Sequence, residues 1–307
     1  MIPASAPKLA ELLAVQLQVF PEHEGYLRRR FAGCSVEHLA FCEVLAGLLV
    51  RICGQDVRSM CEGYRWLTGA VLEEELFFRR HGRYRLATFR EALEQVYDDP
   101  AYMQRYMSGV LATQVWWRNH ADVLRFYRDR YLASFERPVT HLEIGPGHGL
   151  FLYLAAQSGR FSALSGFDVS PASIEASRRC LEAMGVGTDV RLECVDLLSA
   201  PGGAFGSITF SAVLEHLEDP LGALHRLAGM LAPGGRIFVD APVNSPAPDH
   251  IHLFRTPEEV INMVEDSGLR IVDTFMAPIS GASLQDARRR SLTISTVVIA
   301  ERDRRWA

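Results

Sequence analysis

Apolar residues recur at three- and four-residue spacings from Lys8 to Phe135; from Val139 onward, short apolar runs alternate with amphipathic stretches. The first pattern is that of helices burying one face, the second that of buried strands joined by helices. It predicts an all-helical domain over residues 1–138 and an α/β domain over 139–307. In the first, Ser35 before the apolar run 36–52 and Gly54 after it predict a capped and terminated helix. Asp99-Pro100 opens another, expected to run from Ala101 to about His120. In the second, strands are predicted at 141–144, 163–169, 190–195, 207–213, 236–241, 270–274 and 292–300, with helices at 149–157, 171–184, 219–231 and 256–267.

The second domain is organised around residues 141–151, a buried strand running into Gly145, Gly147 and Gly149 and then into a helix. Glycines there remove Cβ atoms where the backbone turns sharply and approaches a ligand, and the helix start presents unpaired N–H groups. His148, inside the turn, is expected to point away and carry no role. A dinucleotide fingerprint needs glycine at its sixth position, which here is Leu150, and this disfavours a nicotinamide-dependent oxidoreductase.

With Glu143 two residues before Gly145, the segment resembles motif I of the class I S-adenosylmethionine-dependent methyltransferases. Asp168 ends the second strand 19 residues after Gly149, where a carboxylate accepts hydrogen bonds from both ribose hydroxyls. Asp196, ending the third, is similar to the family's adenine-side acid; it can instead cap the following turn. Residues 213–220 resemble the segment beside the methionine moiety, and 231–236 the turn before the fifth strand. The resemblance implies a seven-stranded Rossmann-like sheet with an antiparallel last strand. It also implies S-adenosylmethionine as cofactor, S-adenosylhomocysteine as product, and contacts from Glu143, Gly145, Gly147, Gly149, Asp168, Asp196, Leu197 and Ala212.

Methyl transfer from a sulfonium is an in-line displacement, so the protein must align the nucleophile and exclude water. A phenol, hydroxyl or activated carbon must also lose a proton, and histidine is suited to take it. The loop 241–254 supplies Asp249, His250 and His252 at the carboxyl edge of the sheet. They are read as a base or substrate contact, as a divalent-metal set with His216 and Asp249, or as structural. His216 is read as a substrate-side contact or loop support. In the helix after Asp99, Tyr102, Tyr106, Trp116 and Trp117 either form core or a dimer seam, or wall an apolar pocket in which Asn119 and His120 orient the acceptor. The polar stretch 280–291 is a surface connection or a cover over the pocket.

Composition narrows the partners. A net charge of −5 argues against a nucleic-acid surface, and Arg288 to Arg290 is too short a run to change that. No long uncharged apolar run is present, and Glu11 interrupts the apolar N-terminal stretch, which reads as an amphipathic helix rather than a secretory signal. Six cysteines without a Cys-x-x-Cys pair read as reduced thiols. The expectation is a cytoplasmic methyltransferase with no membrane partner, dimeric through a helical domain that closes over the cofactor. Its acceptor is a small aromatic or partly apolar metabolite of specialised biosynthesis, methylated on oxygen or carbon. A non-catalytic methyltransferase-like binding or assembly module is the alternative.

Overall fold

A computed structural model of the chain describes residues 2–186, 190–200 and 202–302. Its helices are α1 (Pro7–Val19), α2 (Glu24–Phe31), α3 (Val36–Cys53), α4 (Val57–His81), α5 (Phe89–Ala92), α6 (Pro100–Trp116) and α7 (Arg118–Phe126). Then follow β1 (Val139–Ile144), α8 (Leu150–Ser158), β2 (Phe161–Asp168), α9 (Pro171–Met184), β3 (Val190–Cys194) and β4 (Phe205–Ser211). The chain closes with α10 (Pro220–Met230), β5 (Leu231–Val243), α11 (Pro257–Asp266), β6 (Arg270–Pro278), α12 (Leu284–Arg290) and β7 (Ile294–Glu301). No described helix is long and apolar enough to cross a membrane.

The chain divides into two compact units. The first comprises Met1–Asp122, Ser245–Ile251 and Ala277–Leu292; the second comprises Val123–Asn244, His252–Met276 and Thr293–Ala307. Residues 303–307 of the expected second domain lie outside the described residues. The first division falls after Asp122, within α7, rather than at 138, because the end of α7 and the residues that follow it pack with the sheet. The Tyr131 hydroxyl lies 2.8 Å from Ser207 Oγ and within hydrogen-bond reach of the Ile208 and Arg236 carbonyls, and Phe126 stacks on Phe275.

The first unit is helical. Ser35 caps α3 by accepting the His38 N–H, and Gly54, at φ 56°, ends it. Helices α4 and α6 cross backbone to backbone: a Cβ on Gly63 would lie 2.9 Å from the Arg105 carbonyl, and one on Gly109 2.8 Å from the Gly63 carbonyl. Trp116 is fully buried and donates its indole N–H to Gln16 at 3.0 Å, which makes it interior rather than pocket wall. The predicted helix from Ala101 to His120 is broken. Trp117 is extended (φ −99°, ψ 122°), and the Arg118 N–H bonds the Ser280 hydroxyl at 2.9 Å instead of continuing the ladder. Tyr26 also donates to Ser280, so the 280–291 stretch is tied into this unit and folds partly as α12. Among the described residues all the cysteines are free.

The second unit carries one seven-stranded sheet in the order β3-β2-β1-β4-β5-β7-β6. β1 pairs in parallel with β2 and β4, β2 with β3, and β4 with β5, while β7 runs antiparallel to β5. Strand order therefore reverses between β1 and β4, and the carboxyl ends of these strands form the crevice where open α/β sheets bind ligands. The expected turn at 231–236 is absorbed into β5. The register with β4 jumps there from Phe205↔Leu231 to Ser207↔Arg236, and Gly234 adopts φ 75°.

Candidate functional site

At the carboxyl edge of the second unit, Gly145, Gly147 and Gly149 all adopt left-handed φ, between 51° and 70°. Only glycine takes three such values at little cost. A Cβ on Gly145 would meet Val213 at 2.9 Å, and one on Gly149 would meet Leu181 at 3.1 Å. Ser177 of α9 anchors the turn by donating to the Gly147 carbonyl at 2.8 Å.

His148 has a role that sequence did not assign. Its Nδ1 accepts the Leu150 N–H at 3.3 Å and so caps α8, and burial pulls its pKa down to about 4, consistent with a neutral ring. Glu143, 2% exposed, accepts a hydrogen bond from the Leu152 N–H, and burial pushes its carboxyl well above the usual range. Its Oε2 has no hydrogen-bond partner among the described residues. A buried acceptor oxygen without a donor beneath a glycine turn fits a ligand carrying N–H groups and positive charge, as the methionine end of S-adenosylmethionine does. Tyr127, whose hydroxyl accepts from Thr209 at 3.2 Å, lies in the electrostatic field of Glu143.

Asp168 ends β2 half-buried and accepts the Ser170 N–H at 2.8 Å, with its pKa raised by burial. Its remaining oxygen suits a ribose hydroxyl. Asp196 is exposed and accepts the Leu198 N–H at 3.0 Å, the turn-capping role open to a strand-end aspartate; Leu197 beside it is half-buried. Ala212 holds the unusual φ of 53° for a residue with a side chain, its N–H bonded to the Asp240 carbonyl at 2.9 Å. Asp240 is the residue that sequence reasoning missed. It is 7% exposed and accepts from Ser211 Oγ at 3.0 Å, and burial with the nearby Glu215 charge lifts its pKa to about 7. A lone acid within the apolar run of a buried central strand was the available signal.

The four candidate histidines fall into two pairs. His216 and His252 belong to the second unit. The His252 N–H bonds the Glu215 carbonyl at 2.9 Å, its ring packs 4.5 Å from Phe254, and burial lowers its pKa. His216 Nε2 lies 4.0 Å from Glu215. His250 and His120 belong to the first unit, as does Asp249. The His250 Nδ1 must donate to the Ser245 carbonyl at 2.6 Å, because a carbonyl only accepts. Asp249, 4% exposed, accepts Tyr106 on Oδ1 at 2.6 Å and Tyr97 on Oδ2 at 3.1 Å. The boundary between units passes between Ile251 and His252, so the two histidines of this loop are assigned to different units. A cavity of about 860 Å³ in the first unit is bordered by Trp66, Tyr102 and Arg105 and includes none of the histidine candidates.

Comparison with known proteins agrees with this geometry. The family described as "Methyltransferase domain" matches residues 116–274, just over half of the chain. The "Ubiquinone biosynthesis O-methyltransferase" of Xanthomonas axonopodis pv. citri is 26% identical over 170 residues, covering 49% of this chain and 68% of that protein. The protein of that name from Cereibacter sphaeroides is 26% identical over 248 residues, 67% of this chain and 97% of its own length. Among solved structures, an O-methyltransferase family protein from Burkholderia thailandensis superposes with a TM-score of 0.54 at 16% identity, covering 80% of this chain and 72% of its own; it shares the fold.

Proposed function

The chain belongs to the class I S-adenosylmethionine-dependent methyltransferases, and from that premise we propose that it methylates oxygen on a small, aromatic or partly apolar acceptor in specialised metabolism. Oxygen is preferred over carbon because the named relatives are O-methyltransferases of ubiquinone biosynthesis. The observation that carries the reading is the constellation at the sheet edge: three left-handed glycines, the orphan Glu143 oxygen and Asp168 at the next strand end. Bound there, S-adenosylmethionine supplies an electrophilic methyl group. Glu143 lies beneath the methionine end, Asp168 binds the ribose hydroxyls, and Asp196 with Leu197 borders the adenine. Ala212 directs the backbone after β4 past the methionine.

One of the candidate histidines, His120, His216, His250 or His252, receives the acceptor's proton. A divalent cation at His216, His250, His252 or Asp249 is a secondary reading. The protein acts in the cytoplasm as a homodimer through its helical unit; exposed Leu72 and Leu76, one turn apart on α4, support that assembly.

Calorimetry with S-adenosylhomocysteine tests the core of the reading. Wild type should bind in the low micromolar range, and Asp168→Ala should weaken binding about tenfold or more, since hydrogen bonds to a charged group are lost. Equal affinity in the variant overturns the assignment of Asp168; no binding by folded wild type favours a non-catalytic module. Repeating the titration with a chelator tests the cation.

A further inference from the structure

The cavity of the first unit has no part in the chemistry assigned so far. It holds about 860 Å³, within the range of small-molecule sites, and is walled by the end of α1, by α4 and by two residues of α6. Its α4 residues run from Arg58 to Glu73 along a single helical face. The charges on these walls are unequally engaged. Arg58 pairs with Glu62 at 3.1 Å, while Arg65 donates to the Val19 carbonyl at 3.1 Å and lies 3.7 Å from Glu22. Arg105 and Glu73 make no ion pair among the described residues.

Arg105 is held by an aromatic surface instead. Its guanidinium lies over the Trp66 ring, 5.0 Å from the centroid, and Trp66 meets Tyr102 edge-on at 4.8 Å. Stacking occupies only the flat face of a guanidinium; its N–H groups lie in the plane and stay available to a bidentate carboxylate. The Trp66 indole N–H and the Tyr102 hydroxyl also have no hydrogen-bond partner among the described residues. Burial, with the charges of Asp249, Glu74 and Glu73, pushes the Tyr102 pKa up to about 12, so at neutral pH this hydroxyl keeps its proton and can donate. Three donors border the cavity, and an anionic acceptor is the group that complements them.

Glu73 defines the opposite end. It follows Trp66 by seven residues of α4, about 10 Å of rise. That spacing favours a ligand with its anion and its donor at the two ends of a rigid body over a free amino acid, which carries both charges on one carbon. Between them lie Gly69 and Ala70, and a Cβ on Gly69 would meet no atom within 4 Å, which leaves room for a flat ring system.

We propose that the first unit binds a small aromatic carboxylate in this cavity, with Arg105 holding the carboxylate, Trp66 and Tyr102 flanking the rings, and Glu73 accepting a hydrogen bond from a hydroxyl or amino substituent at the far end. Every lining residue belongs to the first unit, so the site stands independently of the methyltransferase reading, which the S-adenosylhomocysteine titration tests.

Calorimetry of the full chain with 6-hydroxy-2-naphthoate, at low ionic strength and neutral pH, tests the site. Wild type should bind one equivalent saturably, and the matched uncharged amide should bind about tenfold or more weakly. Arg105→Gln should lose about tenfold or more for the acid and little for the amide. Gly69→Leu fills the cavity at an exposed position where leucine is the better helix former, so it should stay folded by thermal melting and lose binding. Glu73→Gln should weaken the hydroxylated acid severalfold and leave 2-naphthoate, which lacks the hydroxyl, unchanged. No saturation of wild type at millimolar ligand overturns the proposal. So does binding that Arg105→Gln or folded Gly69→Leu leaves intact, because the ligand then sits elsewhere.

Discussion

Asp240 shows how far a single carboxyl in this sheet departs from its ordinary behaviour. Its pKa of about 7 in the folded protein stands above the ordinary carboxylate value of 3.8 because burial and the Glu215 charge both disfavour ionisation. Between those two values the unfolded chain releases a proton that the folded chain keeps. Stability is therefore full below the lower value, falls as pH rises toward 7, and stays reduced above it. Asp240→Asn removes the charge while keeping an acceptor for Ser211. It should raise the denaturation midpoint at pH 8 by the equivalent of about 1–2 kcal/mol, with the gain shrinking toward pH 4. Urea titrations across that range check it; a gain independent of pH would show that the Asp240 proton is not the cause. His148 carries the opposite sign. Its pKa is lowered to about 4, so the stability of its neutral form is complete above the ordinary histidine range and is lost as pH falls toward 4.

The crossing of α4 over α6 depends on two glycines that face each other. Gly63→Ala places a methyl 2.9 Å from a backbone carbonyl that cannot rotate away, and the helices must separate. The cost should be about 2–4 kcal/mol, although alanine is intrinsically the better helix former by about 1 kcal/mol. Thermal unfolding measures it, and a Tm equal to or above wild type would contradict the close packing. Elements bounded by local chemistry were legible in the sequence: α3 between Ser35 and Gly54, α9 behind Ser170 and Pro171, and α11 behind Thr256 and Pro257. The glycine turn and Asp168 were legible for the same reason, being a compact pattern at a strand end. The break at Trp117 was not, because no glycine or proline marks it and its cause, Ser280, lies far along the chain. Asp240 was marked only as a lone acid in an apolar run; the partners that give it its chemistry, Ser211 and Glu215, are set by folding rather than by spacing.

At the scale of the whole molecule, the polypeptide passes between its two units five times, and the first unit is assembled from three separate segments. The segment Ser245–Ile251 is held there by the Tyr97 and Tyr106 bonds to Asp249, by Ile251 packed with Leu86, Ala92 and Val96, and by the Tyr84 hydroxyl, which accepts the Ser245 N–H. A fragment ending at residue 138, where the sequence period changes, lacks Asp249 and Ser280. It should show helical far-ultraviolet dichroism without a cooperative thermal transition; a sharp two-state melt would show that the later segments are dispensable. The same layout bears on synthesis. The ribosome delivers the first 122 residues early, but the last segment of their unit begins only at Ala277. At roughly 5–20 residues per second, the nascent helices wait about 8–30 s for Ser280 to emerge, while the strands made in between can already pair. The part of the chain translated first is thus completed only near the end of synthesis, and during that interval its unsealed apolar faces are what a chaperone at the exit tunnel would meet.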